Sequence, residues 1–279
     1  MFDQFILDFL NEDIGEGDHS TLACVPEGKL GSAKLLVKEN GVLAGVEVIK
    51  RVYFLFDPTA KVVTFKNDGD AINVGDLVFN VSGSSQTILT TERTVLNIMQ
   101  RMSAIATLTN AVVELVKEYP VKILDTRKTT PGFRFFEKEA VRIGGGTNHR
   151  HGLFDMVMLK DNHIDYAGGI TQAITKTLAY LKRKELTLKM EVEVRNMDEL
   201  NEVICAGGVD RIMLDNFTPS ELVSALEIIP SHFETEASGG ITIENVVDYA
   251  KTGVQFISMG ALTHSAKSLD LSLKAVFSS

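Results

Sequence analysis

The chain has 279 residues, 44% of them hydrophobic and 23% charged, with a formal net charge of −9 and a mean hydropathy of +0.08. That is the composition of an ordinary globular protein with a sizeable core, in one domain or two. The acidic balance, with no basic tail or stripe, excludes a general nucleic-acid partner, and two cysteines, Cys24 and Cys205, are too few for a disulfide framework or a metal cluster.

The first stretch, MFDQFILDFLNED, is acidic and too short in apolar length for a signal peptide or a membrane span. With the sparse cysteines it points to a reducing, cytoplasmic setting and no membrane partner. Gly15-Glu16-Gly17 lacks a preceding strand and carries an acid, so it reads as a turn and not as a nucleotide fingerprint. Residues 32–89 read as strands, with β-branched or aromatic runs broken at Asp68-Gly69 and Val74-Gly75. Residues 91–119 then place apolar side chains from Val95 to Val116 at helical spacing, which predicts one long helix or two in series.

From residue 121 the pattern alternates between strand and helix. Apolar runs at 122–126, 155–160, 188–194, 210–216, 232–237 and 256–261 are separated by amphipathic stretches. One of these, TPSELVSALEII, has a full start signal: Thr218 as cap, Pro219 in the first turn and Glu221 completing a capping box. Cys205 lies in ELNEVICAGG, an apolar helical pattern that predicts a buried thiol. The last four strands begin about 22 residues apart, the period of repeated βα units. A short strand around Ala140–Ile143 brings the total to about seven. The fold class is α/β, either a barrel one strand short of eight or a flat doubly wound sheet.

One stretch stands apart. AVRIGGGTNHRHGLFDMVMLKDNH, residues 140–163, holds three of the six histidines together with Arg142, Arg150 and Lys160. From Asp125 to Lys160 there are seven Lys or Arg against four Asp or Glu, a local +3 in an acidic chain. In an α/β barrel the active site gathers at the C-terminal ends of the strands, and charge falls at nearly every such end. Arg127, Lys128, Arg142, His149, Arg150 and Lys160 are a cationic set suited to carboxylates and phosphates. Taken alone, Arg127 and Lys128 fit solvated loop positions equally well. Lys160 follows the buried run DMVML, which puts it either at the barrel mouth or in a desolvated site.

Glu193 and Asp215 end neighbouring strands, and paired oxygens of that kind suit Mg2+ or the two hydroxyls of a ribose; a structural ion pair is the alternative. Glu191 shares the parity of Glu193 and points inward with it. Ser238-Gly239-Gly240 reads as a turn that opens a helix, a backbone phosphate cradle, with the loop around Gly260 as its second half. His19, His232 and His264 have no ligand spacing.

That set, in that order, resembles the decarboxylating quinolinate phosphoribosyltransferases (nicotinate-nucleotide pyrophosphorylases). The resemblance covers nearly the whole chain through EDIGEGDHST, LTTERTVLNIMQRMSAIAT, DTRKTTPGFR, EKEAVRIGGGTNHRHGLFDMVMLKDNH, EVEV, IMLDN, EASGGI and ISMGALTHS. Ala104 stands where such sequences often carry glycine, and the GDHST turn varies among them. The resemblance implies an N-terminal α/β sandwich domain (1–112, with 265–279 a candidate to return to it) and an incomplete, seven-stranded α/β barrel (113–264). It implies a homodimer in which Arg101 reaches the neighbouring subunit's pocket.

By the same carry-over Arg127, His149, Arg150 and Lys160 line the quinolinate pocket, with Lys128 and Lys160 near the pyrophosphate of phosphoribosyl pyrophosphate. Glu193 and Asp215 hold the ribose hydroxyls and Mg2+, and Ser238, Gly239, Gly240 and Gly260 hold the 5′-phosphate. Catalytic roles fall to Lys160, Glu193 and Asp215, with Mg2+ as the metal and no organic cofactor. Three rivals are a relative found with molybdate-transport systems, a Schiff-base aldolase using Lys160, and a non-catalytic barrel.

Overall fold

The computed structural model describes residues 2–276. In chain order the elements are α1 (Phe2–Ile14), α2 (His19–Cys24), β1 (Leu30–Val37), β2 (Gly41–Val42), α3 (Val46–Phe56), β3 (Lys61–Thr64), β4 (Ala71–Ile72), β5 (Leu77–Ser84) and α4 (Ser85–Val116). There follow β6 (Lys122–Leu124), α5 (Arg134–Ile143), β7 (Val157–Leu159), α6 (Asp161–Ala167), α7 (Ile170–Lys184), β8 (Met190–Val194), α8 (Met197–Ala206), β9 (Arg211–Asp215), α9 (Pro219–Ile228), β10 (Glu234–Ser238), α10 (Val246–Ala250), β11 (Phe256–Ser258), α11 (Ala261–His264) and β12 (Leu271–Val276).

Two compact units result. One gathers the residues up to Asn110 with Thr130–Gly145 and those from Ser265 onward; the other is Ala111–Thr129 with Gly146–His264. The excursion of Thr130–Gly145 into the first unit differs from a simple division near residue 112. Of the segment 265–279, residues 277–279 lie outside the described residues.

The first unit is built on an antiparallel sheet in the order β12-β1-β5-β3. Helix α3 buries Val46, Val48, Ile49, Val52 and Tyr53, and the Tyr53 ring meets Phe79 of β5 edge-on at 6.4 Å. The sequence read 32–89 as strands throughout, so α3 is a correction. Its β-branched residues suit a strand locally, but their spacing of three and four gives a helix one apolar face for the core. The stretch 91–119 is a single helix, α4, from Ser85 to Val116.

The expected strand at Ala140–Ile143 is helical, the last turn of α5. Phe136, Ala140 and Val141 share its buried face, and Phe136 sits among Phe133, Phe2, Phe9 and Phe135 with ring centroids 4.9 to 5.6 Å away. Gly144 ends α5 where any Cβ would come 2.5 Å from the carbonyl oxygen of Ala106 in α4, and Gly145 turns the chain at φ +92°. Close approach and a left-handed turn thus account for two members of the triple glycine.

The second unit holds a parallel sheet of six strands in the order β6-β11-β10-β9-β8-β7. A single parallel bridge from Leu124 to Thr147 adds the rudiment of a seventh beyond β6. Helices α7 to α9 alternate with the strands, as the sequence period requires. Helix α9 has its complete capping box, with Thr218 accepting from the Glu221 N–H and Glu221 from the Thr218 N–H. Cys205, expected to be buried, is exposed on α8, because Leu200 and Val203 occupy the inward face instead. No helix among the described residues is long and apolar enough to cross a membrane.

Two stability predictions follow from this packing. Phe136→Ala opens a hole among four rings and should cost about 3–5 kcal/mol, whereas Thr218→Ala removes one cap and should cost about 1 kcal/mol. Chemical denaturation of both variants ranks them; equal losses would refute the assigned weight of the aromatic cluster.

Candidate active site

The C-terminal strand ends of the second unit enclose a cavity of about 440 Å³. Its lining contains Arg127, Lys128, His149, Arg150, Lys160, Glu193, Asp215, Ser238 and Gly239, nine of the twelve residues singled out from the sequence. Thr126, Met158, Met213, Glu236 and Ser258 complete it. Strand parity could have found three of those five, because Met213, Glu236 and Ser258 alternate with outward neighbours on β9, β10 and β11.

Lys160 is at the mouth, where α6 begins, and its ammonium pairs with the Glu193 carboxylate. Its backbone N–H donates to Nδ1 of His163 at 3.0 Å. Glu193 lies opposite Met213 in the register of β8 and β9, so Asp215 projects just beyond it. Burial, then the charge of Glu193, pushes the Asp215 carboxyl above the usual carboxylate range, against the pull of Lys160. Among the cations, Arg150 is held below its ordinary value by burial and by the charge of Arg127. Arg127 and Lys128 are exposed, on a loop held by the Thr263 hydroxyl donating to the Lys128 carbonyl at 2.8 Å. The cavity thus crowds like charges at two places, which is the signature of a site shaped for absent counter-charges.

Beneath it lies a layer of buried charge. The Nε2 of His149 is 3.0 Å from Glu191 and 3.4 Å from Glu236, and Arg211 donates to Glu236 at 2.9 Å. Burial works against a charged His149, but hydrogen bonds and charge from both acids outweigh it and push the ring up to about 9. The Arg150 N–H, however, donates to Nδ1 at 2.6 Å and takes the lone pair a second ring proton would need. The ring proton therefore sits on Nε2, facing the acids. Burial, then the charge of Glu236, pushes the Glu191 carboxyl up to about 7. These three side chains also form a group with metal-ligand spacing, but the Arg211 guanidinium beside Glu236 already supplies the positive charge a metal would bring.

The turn Ser238-Gly239-Gly240 has φ +89° and +62° at its glycines. A Cβ at Gly239 would come 2.3 Å from Oδ1 of Asn216, itself at φ +59°. The expected helix does not begin at this turn: α10 starts at Val246. The cradle therefore consists of backbone in a left-handed bend, without a helix end behind it. Gly240 and Gly260 are outside the cavity lining, although a Cβ at Gly260 would press within 3.0 Å of the Lys128 side chain.

Two cations lie elsewhere. Arg142, expected on a strand, is on α5 and pairs with Glu139. Arg101 lines a different cavity, of about 570 Å³, in the first unit. His151 is exposed, its N–H donating to Asp155.

Two family models match the chain, "Quinolinate phosphoribosyl transferase, N-terminal domain" over residues 18–103 and the C-terminal domain of the same description over residues 105–274. The chain belongs to the quinolinate phosphoribosyltransferase family. Within it, the chain is 47% identical to the chloroplastic nicotinate-nucleotide pyrophosphorylase [carboxylating] of Arabidopsis thaliana over 280 residues, covering 95% of this chain and 80% of that one. It is 42% identical to the probable enzyme of the same description from Bacillus subtilis, over 97% of this chain and 92% of the relative. The solved nicotinate-nucleotide pyrophosphorylase of Francisella tularensis superposes with a TM-score of 0.90 at 40% identity, covering 99% and 96% of the two chains.

The buried acids generate a pH prediction. Glu191 has a folded-state pKa raised above its ordinary 4.5, so its protonated form favours folding. That stability is present below about pH 4.5 and is lost as the pH rises through about 7, by on the order of a few kcal/mol. Thermal melts in EDTA should show the decline in the parent protein and a flatter profile in Glu191→Gln. Parallel profiles would refute it.

Proposed function

We propose that the cavity of the second unit is the catalytic site, with Lys160, Glu193 and Asp215 at its centre, Arg127, Lys128 and Arg150 as the anion-binding wall, and His149 supporting Arg150 from beneath. The protein is a pentosyltransferase, a nicotinate-nucleotide diphosphorylase (carboxylating) that acts in NAD biosynthesis. It transfers phosphoribosyl from phosphoribosyl pyrophosphate to quinolinate with decarboxylation, giving nicotinate mononucleotide, pyrophosphate and CO2. The observation that carries the site assignment is the meeting of four cationic side chains with an acid pair and a glycine turn around one cavity.

Both substrates are multiply anionic, which explains a cationic wall in an acidic chain. Lys128 and Lys160 neutralise the pyrophosphate as its bond to the ribose lengthens. Arg127 and Arg150 hold the adjacent carboxylates of quinolinate, which aims the pyridine nitrogen at the oxocarbenium-like carbon. Once that nitrogen is ribosylated, its positive charge draws the electron pair of the departing 2-carboxylate into the ring. Ser238 and Gly239, with Gly240 and Gly260 beside them, receive the 5′-phosphate.

Glu193 and Asp215 would hold Mg2+ and the ribose hydroxyls. The chemistry of the pair fits: two carboxylates close enough for one to raise the other are short of positive charge. When bound, the metal supplies Lewis-acid charge at the pyrophosphate. Lys160 stands in an ion pair, the posture of a counter-charge and not of a Schiff-base nucleophile. The homodimer belongs to this proposal too, with Arg101 serving the partner's pocket. It is supported by the family resemblance and by the placing of Arg101 on a cavity other than the catalytic one. Two exposed thiols suit a reducing, cytoplasmic setting.

Lys160→Ala should lower kcat by at least about a hundredfold while leaving the melting temperature nearly unchanged; near-normal turnover would remove Lys160 from its role. Mixing Lys160→Ala with Arg101→Ala tests the shared site. If Arg101 serves the partner, mixed dimers rebuild one intact site in two, and about a quarter of parent activity returns. If each subunit uses its own Arg101, none does.

A further inference from the structure

A carboxylate paired with Arg101 is unusual in its surroundings. Glu137, on α5, is completely buried, yet Arg101 keeps 24% of its side chain exposed and lines the cavity of the first unit. Oε1 of Glu137 accepts from Nε of Arg101 at 3.2 Å and from Nη2 at 2.9 Å. The carbonyl of Ala266 accepts from Nη1 at 2.8 Å. All three nitrogens of the fork are therefore tied to the protein. Glu137 is itself tied, since the Thr130 hydroxyl donates to Oε1 at 2.9 Å and the Thr130 N–H to Oε2 at 3.0 Å.

The helices that carry the pair are clamped on both sides of it. Past Glu137, Gly144 lets α5 lie against the Ala106 carbonyl of α4, the helix of Arg101. Before and beside it, Phe133 and Phe136 pack on Phe9. A buried carboxylate is costly unless its charge is met and its lone pairs are filled. Here both conditions hold, and the result is a guanidinium on the cavity wall whose plane is set by its neighbours.

We propose that Glu137 is a positioning residue for the phosphoribosyl transfer: through Arg101, it fixes the angle at which a guanidinium is offered to the pyridine dicarboxylate. The inference rests on the role given to Arg101 above. An arginine left to swing pays rotamer entropy each time it engages a carboxylate, whereas one held at three nitrogens meets a planar, two-oxygen acceptor already oriented.

A double-mutant cycle of Glu137→Gln and Arg101→Ala, read as kcat and KM for each substrate, tests this. Glu137→Gln should raise the KM for quinolinate on the order of tenfold and leave the KM for phosphoribosyl pyrophosphate within about twofold. On the Arg101→Ala background it should change kcat/KM no further, because residues acting through one another are not additive. Should Glu137→Gln not purify as a folded protein, Glu137→Asp takes its place in the same cycle. Parent-like kinetics in the Glu137 variant would overturn the inference alone. An equal loss on both backgrounds would show a purely structural carboxylate and overturn it as well. Near-normal KM for quinolinate in Arg101→Ala would overturn the role of Arg101 and the inference with it.

Discussion

The second unit depends on burying two glutamates inside its sheet. Glu191 and Glu236 have no exposed surface, and each such charge would cost several kcal/mol if left alone. Arg211 meets Glu236 from the first position of β9, and the His149 ring lies between the two acids. Asp125, also fully buried, accepts the backbone N–H of His149 at 2.8 Å and so fixes the ring's height. The three strands and two loop positions that contribute these groups cannot shift independently, because moving any one leaves a charge without a partner. The floor of the cavity is rigid for electrostatic reasons before any apolar packing is considered.

Above that floor the charges are separated rather than cancelled. Lys160 and Glu193 pair, but Asp215 is left facing Glu193, and Arg150 faces Arg127. A protein that had to fold only for stability would interleave these signs. Keeping an acid corner and a basic corner within about 440 Å³ is tolerable only over a floor whose own charges are paired and held in place.

Much of this was legible in the sequence, because the second half repeats a strand and a helix at a steady period and places charge at the strand ends. Thr218 and Glu221 announced a helix start in local chemistry alone. The failures share one cause: a short apolar run does not reveal its period. Val46 to Val52 and Ala140 to Ile143 look like strands until their neighbours supply the turn-by-turn spacing. Cys205 was misplaced because an amphipathic helix has an outer edge that hydrophobic content does not show. Arg142 went wrong with the strand that was to carry it. Only the resemblance suggested a role for Arg101, and nothing in spacing tied Glu137 to it, since the two are brought together by the excursion of Thr130–Gly145 into the first unit.

The bend at Gly239 has a reach beyond its own loop. Asn216, whose side chain occupies the space a Cβ there would claim, donates twice: its amide Nδ2 to Asp215 at 2.7 Å, and its backbone N–H to the Ser238 carbonyl at 2.8 Å. Asn216 is thus a lever with the glycine turn at one end and an acid at the other. A side chain introduced at 239 would appear in a mutational scan as damage to a turn, while its effect would be delivered to the neighbouring strand end, at the carboxylate of Asp215.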